Sequence, residues 1–291
     1  MQIRTQIVVP PTIEPVSADD YNMYKRLQNE ENPVVVSDKL RTARREIEKL
    51  TRKVFVNQTW DMFMELPPGT FPYFGMTASI FARYFGYQPE GVEIPNPPLI
   101  SVNGAYIRDE TGAETLVDPS TYWVSTHVMP GRIAQKIDAS WPDTAGRAFE
   151  CFRVNYTAGY LTPFTVTDGS ATISAPGHNY AVGQIVPITN RDGALPQPFV
   201  NHQSYYVVAS TPSAGTLQLS ATSGGTAIIP TTTGSGNQFL GELPDAIRRS
   251  ILIAAGEDRF GNTRGEKRGE QKGSLPPYGE DLWKSEKIWN L

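Results

Sequence analysis

The apolar positions change rhythm partway along the chain. Before Pro163 and after Leu240 they recur at helical or alternating spacings among plentiful charges. Between those points the only charged residues are Asp168, Arg191 and Asp192. This stretch is dense in Thr, Ser, Gly and Pro, and its apolar residues come in short runs such as Tyr205-Tyr206-Val207-Val208 and Leu217-Gln218-Leu219. Gly177 to Val186 reads as a turn leading into a strand, and Thr216 to Ser220 as a later strand. Short strands between Gly and Pro turns make a small all-β barrel or sandwich. The host chain therefore reads as 1–162 joined to 241–291.

Helical spacing is clearest in three places. Ser17 is placed to cap a short helix with Asp19 and Asp20 in its first turn and Tyr21, Tyr24 and Leu27 on one side. A second helix, with Ser37 as the expected cap, carries Leu40, Ala43, Ile47, Leu50 and Val54 at steps of three and four. Its other faces hold Lys39, Arg41, Arg44, Arg45, Lys49, Arg52 and Lys53 against Asp38, Glu46 and Glu48. That excess is a solvated face or a basic patch for an acidic partner protein or for DNA; Arg41, Arg44, Arg45 and Arg52 are its candidate residues. A third helix opens at Leu243-Pro244-Asp245 and buries Ile247, Ile251, Ala254 and Ala255.

Strand signals fill the space between the helices. Residues 1–16 read as extended. Phe55 to Phe63 alternates and ends at Pro67-Pro68-Gly69. Val92–Pro95, Leu99–Val102, Ala105–Ile107, Glu114–Leu116, Tyr122–Val124, Arg132–Ala134 and Phe149–Tyr156 predict short antiparallel strands, with a turn at Asp109-Glu110-Thr111-Gly112. Residues 70–90 are aromatic-rich and irregular, either a contact loop or locally packed. After Gly261 the chain is charged and Gly-punctuated, which disfavours a stable helix, yet it ends in Tyr278, Leu282, Trp283, Ile288, Trp289 and Leu291. Large aromatics on such a tail fit an anchor on another chain.

Composition narrows the class. Hydrophobic content of 39% and charge content of 19% over 291 residues describe a folded chain of roughly two domains. A net charge of −4 gives no basic footprint for nucleic acid. A single cysteine, Cys151, precludes an internal disulfide framework and fits a reducing compartment. No apolar run is long enough to span a bilayer, and the start of the chain lacks a signal-like apolar segment. The expected setting is a cytoplasm, or a particle assembled there.

Catalytic patterns are missing from the sequence. His127, His178 and His202 lie far apart, without metal-ligand spacing. Cys151 sits in an apolar strand, where packing is the commoner role. There is no nucleophile elbow, phosphate loop or dinucleotide fingerprint. The expectation is a non-enzyme with no cofactor and no metal.

The joined host resembles the head–tail connector (adaptor) proteins of tailed bacteriophages. The likeness runs through the capped helix Val16 to Leu27, then Thr51-Arg52-Lys53-Val54-Phe55-Val56-Asn57-Gln58-Thr59-Trp60. It continues through Ile94-Pro95-Asn96-Pro97-Pro98-Leu99-Ile100-Ser101-Val102, the turn at Asp109 to Gly112, and Leu116-Val117-Asp118-Pro119-Ser120-Thr121-Tyr122. Pro130-Gly131-Arg132-Ile133, Trp141-Pro142 and Val154-Asn155-Tyr156-Thr157-Ala158-Gly159-Tyr160 follow, and after the insert Leu243 to Leu252. The order of these segments carries the likeness more than any one of them. The insert at 163–240 and the long aromatic loop at 67–90 depart from the family pattern.

The resemblance implies an α+β fold: a small helical bundle with a short antiparallel sheet, here with an inserted all-β domain and an extended C-terminal tail. The implied division is a connector core at 1–162 and 241–261, a β domain at 163–240 and a portal-docking tail at 262–291. The implied work is structural. A ring of about twelve copies would join the portal to a stopper or tail component in the virion neck, assembled in the host cytoplasm. Viral DNA would pass through its channel without sequence-specific binding, and a mildly negative wall suits that passage. Arg264, Lys267, Arg268, Tyr278, Trp283 and Trp289 are the portal-contact candidates. The insert would decorate the ring, contacting capsid, fibres or neighbouring copies, or serve as a spacer. The alternative is a receptor- or carbohydrate-binding module, with Tyr180, Phe199, Tyr205 and Tyr206 of the insert as the binding aromatics.

Overall fold

The computed structural model describes residues 3–26, 31–65, 67, 91–136, 139, 141 and 150–256. The chain divides into two compact units: Met1–Pro10 with Asn57–Gly159, and Pro11–Val56 with Tyr160–Leu291.

The first unit is built on strands. These are β1 (Ile3–Val9), β2 (Gln58–Met64), β3 (Val92–Glu93), β4 (Leu99–Arg108), β5 (Glu114–Leu116), β6 (Tyr122–Ser125), β7 (Arg132–Gln135) and β8 (Phe152–Ala158). Five form an antiparallel sheet in the order β1-β2-β8-β4-β5, and three form a smaller one in the order β3-β7-β6. Strand alternation sets which side chains go inward. Met62 and Met64 of β2, Ala105 and Ile107 of β4, and Phe152, Val154 and Tyr156 of β8 are all buried. Trp141 closes on Phe152 edge to face, with ring centroids 5.2 Å apart.

Where the sequence predicts two strands at Leu99–Val102 and Ala105–Ile107, the structure has one. β4 absorbs Ile100 and Asn103 as register shifts against β8 instead of breaking. The β4–β5 hairpin turns at Asp109, whose Oδ1 accepts from the Thr111 amide at 2.8 Å and the Ala113 amide at 3.0 Å. Those bonds hold its carboxyl below the usual range, with the Thr111 hydroxyl the largest contributor.

Among the described residues, the second unit combines three α-helices with a seven-stranded antiparallel sheet. The helices are α1 (Ala18–Lys25), α2 (Pro33–Thr51) and α3 (Asp245–Gly256). Ser17 caps α1 as expected, and Asp20 returns the bond to complete a capping box. α2 starts earlier than the sequence predicts. Asn32, not Ser37, is its cap, with Pro33 in the first turn and the Val34 amide bonded to Asn32 Oδ1 at 2.9 Å. Val36, Leu40, Ala43 and Ile47 of α2 pack with Ile247, Ile251 and Ala255 of α3 and with Tyr21 of α1 in one buried cluster.

The strands of this unit are β9 (Thr162–Pro163), β10 (Thr165–Val166), β11 (Ile173–Ser174), β12 (Ile185–Arg191), β13 (Gln203–Thr211), β14 (Thr216–Ser220) and β15 (Asn237–Leu240). Their order is β10-β11-β14-β13-β12-β15-β9. The two end strands are consecutive in the chain, separated by Phe164 alone, so the sheet curls into a nearly closed barrel. Ile173, Ile188, Val207, Leu217 and Leu219 fill its interior. The chain enters at β9 and leaves at β15, which pair with each other through Thr162–Leu240 and Pro163–Phe239. Leu161 just before entry and Leu243 just after exit both join the helical cluster.

Candidate interaction surfaces

No catalytic geometry assembles among the described residues. No group of three or more His, Cys, Asp or Glu is placed to hold a metal. His178 is buried: Nε2 lies 3.1 Å from the Thr216 carbonyl and Nδ1 accepts from the Tyr180 amide at 3.3 Å. Burial pushes its pKa down, with the Thr216 bond opposing. His202 faces Glu242 at 3.1 Å on the surface, and His127 is exposed. Cys151 is fully buried, its thiol donating to the Glu65 carbonyl at 2.7 Å, and burial pushes the thiol pKa up. No described helix is long and apolar enough to cross a membrane.

The basic residues of α2 separate into two sets. Arg41 and Arg45 are exposed, and Arg52 is exposed at the C-cap with a left-handed backbone (φ 57°). Arg41 leans toward Glu14 and Asp38 at 3.8 and 3.7 Å. Arg44 is different: its side chain is 3% exposed and lies between Glu14 Oε2 at 2.7 Å and Glu48 Oε2 at 2.6 Å. It is an internal strut, so of the four arginines Arg41, Arg45 and Arg52 are the exposed ones. Sequence spacing held a signal for this. Arg44 sits on the stripe of Leu40, Ile47 and Thr51, all of them buried.

The outer face of the five-stranded sheet is polar and internally neutralised. Arg153 reaches Asp61 at 3.1 Å and Glu114 at 2.5 Å, and Arg108 reaches Glu114 at 2.9 Å. The Arg153 guanidinium also lies 4.0 Å from the ring centroid of Tyr106. Asn155 donates to Asp61 at 2.7 Å and Asn103 to Asn155 at 2.9 Å. Bonds from Arg153, then from Arg108, hold the Glu114 carboxyl below its usual range against partial burial.

The same unit also exposes apolar side chains. Ile7, Val8 and Val9 on β1 are 45%, 49% and 51% exposed, and Trp123 on β6 is 65% exposed with the Lys136 ammonium 4.5 Å from its ring centroid. Sequence reasoning singled out none of these, because each sits in a short run that reads as ordinary strand.

Three of the four aromatics of the insert offered as binding residues turn inward. Phe199 and Tyr205 are buried edge to face at 5.1 Å, with the Tyr205 hydroxyl accepting from the Val200 amide at 2.9 Å. Tyr180 stacks on His178 at 5.8 Å. Tyr206 is half-buried. The portal-contact candidates Arg264, Lys267, Arg268, Tyr278, Trp283 and Trp289 lie outside the described residues, as does the aromatic stretch 68–90.

No family model matches the chain, and no curated protein matches it. Among solved structures, it is similar to a chain in the neck of an empty gene transfer agent (GTA) particle computed with C6 symmetry. That likeness has 13% identity and a TM-score of 0.49 and covers 100% of this chain and 97% of that one. It is similar to a chain in the neck of a native GTA particle computed with C12 symmetry at 13% identity and a TM-score of 0.46, with the same coverage. A chain from the virion of a native GTA particle is similar over 55% of this chain and 72% of that one, at 17% identity and a TM-score of 0.39. These are weak likenesses of fold, and the functional reading stands on the chain's own residues.

Proposed function

We propose that this chain is a structural protein of the neck of a phage-like particle, an adaptor whose copies form a ring between the portal and a stopper or tail component. The observation that carries the reading is the meeting of β9 and β15. It lets the helices before and after the β-rich stretch pack as one bundle, with Leu161 and Leu243 in its core. The segments that resemble connector proteins then occupy consecutive parts of the fold in the family's order. Ser17 caps α1, α2 runs by Thr51-Arg52 toward β2, the Asp109 turn joins β4 to β5, and Pro244 opens α3. The division into a core at 1–162 and 241–261, an inserted barrel at 163–240 and a docking tail at 262–291 belongs to this proposal.

The surface chemistry agrees with a geometric role. A sheet face whose arginines are held by Asp61 and Glu114 presents few free cations to phosphate, and phosphate binding is driven mainly by Lys and Arg. DNA would slide past such a wall and not be gripped by it. Arg41, Arg45 and Arg52 would face an acidic protein neighbour. With Phe199, Tyr205 and Tyr180 engaged internally, Tyr206 is what remains of the four for stacking on a sugar, which favours an accessory or spacer role for the barrel.

The test is co-sedimentation of the purified full chain with its portal, beside a chain ending at Gly261. Binding by the full chain and none by the shortened one supports the adaptor role and the docking tail together. Equal binding by both removes the docking tail from the proposal. Failure of the full chain to bind overturns the proposal.

A further inference from the structure

We propose that β1 is an assembly strand, whose open edge pairs with the β5 edge of a second copy and so continues the five-stranded sheet from one subunit to the next. The inference deepens the ring reading above and rests on it. β1 pairs with β2 along Ile3–Val9 on one side and with no strand on the other among the described residues. Such an edge presents a row of unpaired N–H and C=O groups, and sheets ordinarily blunt it with charges, prolines or cover. β1 carries little of this. No charge lies between Thr5 and Val9, and the one charged residue of the strand, Arg4, is held by Glu150 at 2.7 Å. The register shift at Val8 and the Pro10-Pro11 pair confine the irregularity to one end, leaving Ile3–Ile7 in regular register. At that end the strand exposes an uninterrupted apolar run, Ile7-Val8-Val9. The seven-stranded sheet brings its end strands together as chain neighbours, whereas among the described residues both edges of the five-stranded sheet are open.

The opposite edge supplies the complement. β5 is the last strand there, every one of its residues is exposed, and Leu116 is 57% exposed. All neighbours in the sheet are antiparallel, so β1, β8 and β5 run in one sense. Rotation about an axis along the strands preserves that sense. β1 of one copy then meets β5 of the next in parallel, and each copy contributes two different edges. A head-to-tail contact of this kind closes into a ring, whereas β1 against β1 would give a twofold dimer. Strand addition satisfies the main-chain edge and covers Ile7, Val9 and Leu116 in the same step.

Introduced cysteine pairs test this, because the native Cys151 is buried. Full-length chains carrying Gln6→Cys with Leu116→Cys, or Val9→Cys with Leu116→Cys, pairs that the strand register places on one face of the sheet, are oxidised and run on non-reducing gels beside each single variant. A ladder of covalent multimers from a double variant, and none from the singles, supports the contact. A second variant, Ile7→Lys with Val9→Lys, changes exposed side chains only. It is expected to keep its circular dichroism and melting temperature, and to need a roughly tenfold or higher concentration to assemble. Dimers from Gln6→Cys alone overturn the head-to-tail pairing. Wild-type rings in light scattering, with no cross-link and unimpaired assembly of the lysine variant, overturn the inference while the ring reading stands. Absence of any wild-type assembly, alone or on a portal, overturns both.

Discussion

Replacing Arg44 by Met is the sharpest probe of the helical unit. The substitution keeps an unbranched side chain in the space but removes a cation that is 3% exposed and flanked by two carboxylates. Glu14 and Glu48 are themselves only 14% and 13% exposed, so water does not replace the lost partner well. Breaking a buried ion pair from one side costs about 3–5 kcal/mol, since the remaining charge stays buried. R44M is therefore expected to lose that much stability in urea or thermal unfolding at neutral pH. Adding Glu48→Gln should recover a large part of the loss, because the amide still accepts from the Phe55 amide that Glu48 Oε1 holds at 3.0 Å.

The pH dependence supplies an independent check. Burial raises the Glu48 carboxyl above its usual range, and Arg44 is the largest influence opposing that rise. Without Arg44 the folded pKa rises further above the unfolded one. The folded state then binds a proton that the unfolded state does not, so stability is recovered as pH falls through the folded pKa toward the unfolded value. The deficit of R44M relative to wild type should shrink between about pH 7 and about pH 5. A loss below about 1 kcal/mol, or a deficit that grows on acidification, would refute the buried-strut reasoning.

Three further outcomes follow from single sites. Gly236 has φ 74°, and a Cβ there would press on the Asp192 carbonyl oxygen, so Gly236→Ala should lower stability by about 1–3 kcal/mol in thermal unfolding. The folded pKa of His178 lies below its unfolded value, so its contribution to stability is present above about pH 6.5 and is lost as pH falls through the folded pKa. His178→Gln should flatten that part of the stability–pH curve. The buried, hydrogen-bonded Cys151 thiol should react with a thiol reagent only after unfolding; rapid reaction in the native state would contradict its placement.

Local periodicity made much of the fold legible. The steps Leu40, Ala43 and Ile47 gave the buried face of α2, and Ser17 with Asp20 gave the cap of α1. The start of α2 was hidden because Val34-Val35-Val36 is β-branched and reads as strand, while Asn32 and Pro33 ahead of it set a helix N-terminus. The register shifts in β4 were hidden because its partner β8, some fifty residues away, keeps the strand continuous through Asn103. Arg44 looked like one basic residue among several because the partner that draws it inward, Glu14, comes from a distant part of the chain. The barrel was visible as a change of composition. That its ends meet at Thr162 and Leu240 is a property of pairing, which no local pattern records. The open edge of β1 was equally out of reach, since it becomes an edge only once β2 takes its other side.

The account stands or falls on assembly state. Native mass spectrometry of the full chain bound to its purified portal counts the copies directly. The adaptor reading predicts one ring of about twelve copies per portal, with no nucleic acid required. A protein that leaves the portal free and assembles as a trimer would contradict it.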